Sequence, residues 1–155
     1  GRINLMDDSV EKALNEYIGS ESKAVTYEVE LGAVIKFAKA IGDDNPIFSN
    51  PKVARTTRYG GVIAPPTFLR SMFHNSSGEK NFFSAGVDGG SEWKYFEPVH
   101  VGDKITVIKK FVEFFTKDGS LGEMIFQINE IRYINQFDQI VATQRTTGIS
   151  YEPKK

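Results

Sequence analysis

The chain has no cysteine and only two histidines, His74 and His100. Disulfides, thiolate zinc sites, cysteine nucleophiles and histidine-rich metal clusters are thereby excluded, so catalysis of any kind has to use carboxylates, hydroxyls or amides. A dominant charge is missing as well: 19 basic residues stand against 20 acidic ones. Without a one-sided field, nucleic acid and anionic membrane surfaces are poor partners, which leaves small molecules and other proteins. No apolar run approaches the ~20 residues of a membrane-spanning helix. The first residues, with Asp7, Asp8 and Glu11, lack the basic-then-apolar order of a secretory signal, and a soluble, cytoplasmic protein is the expectation. Internal repeats, low-complexity tracts and long Pro/Gly/Ser linkers are absent too. At 155 residues the chain suffices for one compact domain with a real core, so a single domain over 1–155 is expected, residues 1–20 forming an extension with a short helix.

What is present divides into two halves. In the first, Val10, Ala13, Leu14 and Tyr17 recur at helical spacing over 8–17, with Asp8 as a candidate N-cap and Gly19 just past the end. Val25 to Val29 alternates like a strand, and Val34, Ile35, Phe37, Ala38 and Ile41 return to helical spacing until Gly42 stops them. Asn50-Pro51 is a cap and first-turn pair for a short helix through Arg58, closed by Gly60-Gly61. Pro65-Pro66 opens an element over 67–73 in which Phe68, Leu69, Met72 and Phe73 leave little polar surface, and such a helix belongs inside something.

The second half is dominated by alternating β-branched and aromatic residues. A strand is predicted over 91–96, then three long antiparallel strands over 104–116, 121–134 and 139–151, with turns at 117–120 and 135–138. Strands longer than the usual ~5–6 residues twist and curl. The fold class read from this is α+β, a long antiparallel sheet wrapped around a central apolar helix.

Between the halves lies a polar turn, Ile41-Gly42-Asp43-Asp44-Asn45-Pro46-Ile47-Phe48. Three stretches taken together resemble the MaoC-like hydratase and dehydratase family, within it the N-terminal dehydratase subgroup with the hot-dog fold: Phe37 to Ile47 with its Gly-Asp-x-Asn-Pro core, Tyr59-Gly60-Gly61-Val62-Ile63-Ala64-Pro65-Pro66-Thr67-Phe68, and Glu97-Pro98-Val99-His100-Val101-Gly102-Asp103. The resemblance covers roughly residues 17–151. It implies an acyl thioester on coenzyme A or acyl carrier protein as ligand, water addition or removal as the chemistry, and no metal or other cofactor. Asp43 and Asn45 match two positions of the family motif Gly-Asp-x-Asn-Pro-x-His, in which Asp and His move protons between water and the α-carbon. Phe48 occupies the histidine position and has no titratable atom. Pro66 occupies the place of a glycine whose amide would stabilise the thioester oxygen, and proline has no N–H.

The resemblance therefore implies a non-catalytic subunit that accommodates substrate and pairs, through the strand over 91–96, with a second hot-dog chain carrying Asp and His. The candidate acyl-binding residues are Phe48, Ile63, Ala64, Pro66, Thr67, Phe68 and Met72. Lys52, Arg55 and Arg58, spaced by three, are candidates for the phosphates of coenzyme A or an acidic carrier. Alternatives stay open: a homodimeric acyl-thioester binding or scaffolding protein, or a homodimer with weak hydratase activity through Asp43. Each candidate also has a plain structural reading. Asp43 and Asn45 suit a turn after a helix, the basic residues suit a solvated face, and Phe68 and Met72 suit a core. Trp93, Tyr95 and Phe96 read as sheet and interface packing, His74 as a helix-end cap, and His100 as a solvated turn residue.

Overall fold

The structure is a computed structural model that describes residues 8–78 and 82–153. Its frame is a five-stranded antiparallel sheet of order β1-β3-β4-β5-β2, built from β1 (Val25–Glu28), β2 (Ala85–Tyr95), β3 (Lys104–Gly119), β4 (Gly122–Ile134) and β5 (Ile140–Tyr151). The predicted long strands are present. The β3–β4 turn is tighter than expected: Gly119 pairs with Gly122, leaving a two-residue loop where a turn over 117–120 was anticipated. Stacked rings explain the extension, since Phe115 and Phe126 face each other at 4.7 Å and the Lys117 ammonium lies over both.

A bulge at Val112 interrupts the β3–β4 register. One extra residue turns Phe111 and Phe114 to the same side, and both join Leu14, Phe83 and Ile125 in a cluster beneath the first helix, α1 (Asp8–Tyr17). Asp8 lies within α1 and is not its cap. Gly19 follows at φ 89° and donates its amide to the Phe111 carbonyl at 2.7 Å, tying the helix exit to β3.

The main core lies on the same side of the sheet, where Ile105, Val107, Ile131, Tyr133 and Val141 meet Val34 of α2 (Leu31–Ala40) and Phe68, Leu69 and Met72. The apolar element after Pro65 is shorter than the sequence pattern suggested, a 3-10 helix over Pro66–Ser71. Met72 leaves it with extended backbone, and Tyr27 Oη donates to the Phe73 carbonyl at 2.7 Å just beyond. Phe73 is consequently exposed, while the Phe68 ring meets Phe37 edge-on at 5.5 Å. The 3-10 helix and α2 together fill the sheet. The next helix, α3 (Pro51–Arg55), is capped as predicted, Asn50 Oδ1 accepting from the amides of Lys52 and Val53. It stops before Arg58 because the hydroxyls of Thr56 and Thr57 bond back to the carbonyls of Val53 and Ala54. No helix among the described residues is long and apolar enough to cross a membrane.

Candidate functional site

Gly42 ends α2 with φ 73°, a conformation that glycine adopts without strain, and the chain enters the polar turn. Asp43 Oδ1 accepts from the Asn45 amide at 3.0 Å, and Asn45 Oδ1 accepts from the Ile47 amide at 3.1 Å. Each side chain therefore fastens the backbone two residues on, and Asn45 caps the short 3-10 turn Pro46–Phe48. Both are exposed. Phe48 points the other way: it is 8% exposed and packs with Ala38 and Ile63, flanked by Ile47 and Tyr59.

Against this turn runs the Gly-rich stretch before the 3-10 helix. The Ile63 amide donates to the Ile47 carbonyl at 3.2 Å, the Ala64 amide to Val99 at 2.8 Å, and the Val101 amide to Val62 at 3.0 Å. His100, expected to be solvated, is instead built into this seam. Its Nε2 is 3.0 Å from the Tyr59 carbonyl, its amide donates to Asp103 Oδ2 at 2.8 Å, and its ring keeps one open side. A third wall comes from the end of β2, where Phe96 and Glu97 both donate their amides to the Val141 carbonyl.

The three walls enclose a groove of about 640 Å³. Of the candidate acyl-binding residues, Phe48, Ile63, Ala64 and Pro66 line it. Thr67 is exposed elsewhere, and Phe68 and Met72 are core residues. Of the basic candidates, Arg58 alone reaches the groove. Its Nη2 donates to Tyr59 Oη at 2.7 Å, and its guanidinium lies 4.8 Å from the centre of that ring. Lys52 and Arg55 remain on the exposed side of α3, so the three do not share one helical face. The sequence pattern did not assign Tyr59, Leu69, Val99, Tyr95, Phe96 or Glu97 to the groove. The one available signal was the Pro98 break, which leaves two aromatic residues exposed at a strand end.

Next to the groove, Trp93 stacks between Tyr95 at 5.7 Å and Tyr133 at 5.4 Å. Burial pushes the Tyr133 phenol up to about 12, the neighbouring Tyr95 adding to the effect and Arg70 opposing it. Tyr95 is raised for the same first reason and opposed by the same arginine. Neither histidine lines the groove; His74 Nδ1 lies 2.9 Å from the Asn75 carbonyl beyond the 3-10 helix. Glu97 is the one carboxylate on the groove wall among the described residues, and no group of described residues is arranged to hold a metal. The arrangement can bind an apolar chain and hold an anion or carbonyl at Arg58, and among the described residues no acid–imidazole pair lines the groove.

The family described as FAS1-like, dehydratase domain region, matches residues 16–144. Among curated proteins, a UPF0336 protein of Streptomyces avermitilis is 35% identical over 88 residues, which cover 52% of this chain and 59% of that protein. A probable enoyl-CoA hydratase alpha subunit of Thermomonospora curvata is 25% identical over 96% of this chain and 54% of its own length. The chain thus spans little more than half the length of these relatives. Among solved structures, the ChsH1–ChsH2 complex from Mycobacterium tuberculosis superposes with a TM-score of 0.81 at 20% identity, covering 95% of this chain and 93% of that one. A MaoC-like dehydratase from Rhodospirillum rubrum gives 0.71 at 16% identity, covering 89% and 94%. The fold is the hot-dog fold of the MaoC-like dehydratases.

Proposed function

This chain belongs to the family described as FAS1-like, dehydratase domain region, and from that premise we propose that it is the non-catalytic, substrate-accommodating subunit of a heteromeric enoyl-thioester hydratase or 3-hydroxyacyl-thioester dehydratase. Its ligand is an acyl thioester of coenzyme A or acyl carrier protein. The acyl group lies against Phe48, Ile63, Ala64 and Leu69, and Arg58 takes a phosphate or the thioester oxygen at the groove mouth.

The observation that carries this reading is Phe48, buried and apolar where the motif calls for a proton-transfer group. Losing such a group typically costs ~10²–10⁴ in rate. Pro66 at the start of the 3-10 helix has no amide proton, and a missing oxyanion donor costs ~10²–10³ more. Asp43 is occupied in its own turn. The division of labour has support among the neighbours, two of which are by description complexes, ChsH1–ChsH2 and the HadBC (3R)-hydroxyacyl-ACP dehydratase of Mycobacterium tuberculosis. A relative is by name one subunit of an enoyl-CoA hydratase.

The test is a crotonyl-thioester hydration assay on the protein alone and after co-expression with a hot-dog chain that carries the Gly-Asp-x-Asn-Pro-x-His motif intact. Turnover is expected only in the mixed sample, with both chains in one complex by size-exclusion chromatography. Turnover by the lone protein at the rate of an ordinary hydratase would sink the assignment.

A further inference from the structure

Two opposite charges share the groove wall without meeting. Arg58 and Glu97 are the charged lining residues among those described, and they form no ion pair with each other or with any other described residue. Each is held by its own surroundings. The Arg58 guanidinium lies over the Tyr59 ring and donates to that residue's hydroxyl at 2.7 Å, and the rest of its fork of donors stays available. Glu97 is fixed at the backbone: its amide donates to the Val141 carbonyl at 3.2 Å, and Pro98 follows with a locked φ. An exposed ion pair contributes too little to pull either side chain out of place. The groove therefore offers a donor at one point and an acceptor at another, and the Glu97 carboxylate has no hydrogen-bond partner among the described residues.

The geometry points to Glu97 as the specificity-determining residue of this groove, its carboxylate accepting a hydrogen bond from the 3-hydroxyl of a bound acyl group. This rests on the accommodating role proposed above, with the thioester oxygen at Arg58. The acyl group then meets the wall at three unlike places: the guanidinium, the carboxylate, and the apolar surface of Phe48 and Ile63. Three unlike contacts around a tetrahedral carbon fit one enantiomer. Its mirror image, keeping the other two contacts, turns the hydroxyl away from Glu97. The enoyl thioester has no hydroxyl to give. It leaves the carboxylate facing C–H groups on a wall that Phe96, Pro98 and Val99 make apolar, and forfeits a hydrogen bond to a charged acceptor, stronger than one between neutral groups. A 3-amino group would bring an ammonium to Glu97 and set it near the Arg58 cation as well, a repulsion that favours the neutral hydroxyl.

The chain thus reads the hydration state of a thioester although it lacks the histidine to change it. A binding wall moves an equilibrium only by its differential affinity for the two forms. A preference of about 10-fold therefore moves the bound ratio of hydrated to dehydrated thioester about 10-fold toward the hydrated form.

The test titrates the purified chain with (R)- and (S)-3-hydroxybutyryl-CoA and with butyryl-CoA, which has no hydroxyl and cannot be hydrated. The coenzyme A part is common to all, so differences report the acyl group. Binding is read by calorimetry and by the emission of Trp93, the chain's single tryptophan, which stacks on Tyr95 of the groove wall. One enantiomer should bind about 10-fold more tightly than butyryl-CoA, and the other no more tightly than butyryl-CoA. Glu97→Gln and Glu97→Ala should each bring the preferred enantiomer down to the affinity of butyryl-CoA, while butyryl-CoA itself binds as it does to the parent. Arg58→Ala should weaken every ligand. Both positions are exposed, and circular dichroism checks that each variant folds. The same titrations on the complex with a hot-dog chain whose motif histidine is replaced by alanine cover a groove completed only on assembly. Equal binding of the two enantiomers, or a preference that survives both Glu97 variants, overturns the inference and leaves the accommodating role standing. Failure of every thioester to bind, alone and in the complex, overturns that role and the inference with it.

Discussion

Replacing Phe48 by histidine and Pro66 by glycine restores the two groups whose absence defines the site, and the cost and gain of each can be estimated from its surroundings. Phe48 is buried against Ala38 and Ile63. Burial of a large apolar side chain contributes about 1.5–3 kcal/mol, part of which imidazole retains, and a ring nitrogen left without a partner there costs about 1–3 kcal/mol. Phe48→His should therefore destabilise by about 2–4 kcal/mol, which a typical domain with about 5–15 kcal/mol of stability survives. Pro66→Gly loosens the unfolded chain and costs about 1 kcal/mol or somewhat more. In a crotonyl-thioester hydration assay on the purified single chain, F48H alone should rise above the parent but stay ~10²–10³ below F48H/P66G, because the oxyanion donor is still missing. The double variant should gain more than the product of the single gains, since the two groups act in one transition state. Thermal melts establish that each protein is folded. The reasoning is refuted if the parent already hydrates the thioester as fast as F48H/P66G, or if a folded double variant shows no gain at all.

Two further perturbations test the wall and the core. In the assembled enzyme, Arg58→Ala should raise KM for the thioester about 10-fold, the worth of a charge-assisted hydrogen bond. Lys52→Ala and Arg55→Ala should leave it unchanged, and equal effects from all three would show a diffuse field in place of a placed guanidinium. For Tyr133, pushed up to about 12 in the fold against 10.0 for the ordinary phenol, the unfolded chain loses its proton first. The native state then holds more protons between those values, so stability is full below the lower one and declines as pH rises through the upper. Denaturant melts at about pH 9 and pH 12 should show the parent losing about 2–3 kcal/mol more than Tyr133→Phe, and equal losses would refute the assignment of the buried phenol.

Elements whose signal is local were legible before any coordinates. The helix over 8–17, the cap at Asn50 and the long strands follow from spacing, a short polar side chain before proline, and alternation. The failures sit where a distant atom decides. The element after Pro65 reads as a helix through Phe73, yet it ends at Ser71, and the Phe73 carbonyl accepts instead from a hydroxyl on Tyr27, 46 residues away in sequence. His100 reads as solvated because its partner, the Tyr59 carbonyl, is 41 residues away. The groove was half legible for the same reason. Phe48, Ile63, Ala64 and Pro66 belong to the quoted motifs, whereas Tyr95, Phe96 and Glu97 reach it from the end of β2, where the amides of Phe96 and Glu97 share the Val141 carbonyl. Arg58 and its two basic neighbours look equivalent at spacing three until the threonine hydroxyls stop the helix.

The polar turn also shows how a site can lose its chemistry and keep its outline. Gly42 supplies a positive φ, Asp43 and Asn45 fasten amides, and Pro46 opens the 3-10 turn; each has a backbone task that persists whether or not a proton is ever moved. Only the last position of the motif has none. Its side chain enters an apolar cluster, where a phenyl ring is a better occupant than an imidazole. The residues that most resemble catalytic machinery are thus the ones whose presence says least about catalysis, and the decisive position is the one that looks like ordinary core. It follows that loss of activity in an Asp43→Ala variant of an assembled enzyme would not identify a catalytic carboxylate, because the turn loosens at the same time. Asp43→Asn, which keeps an acceptor for the Asn45 amide and removes only the charge, separates the two roles.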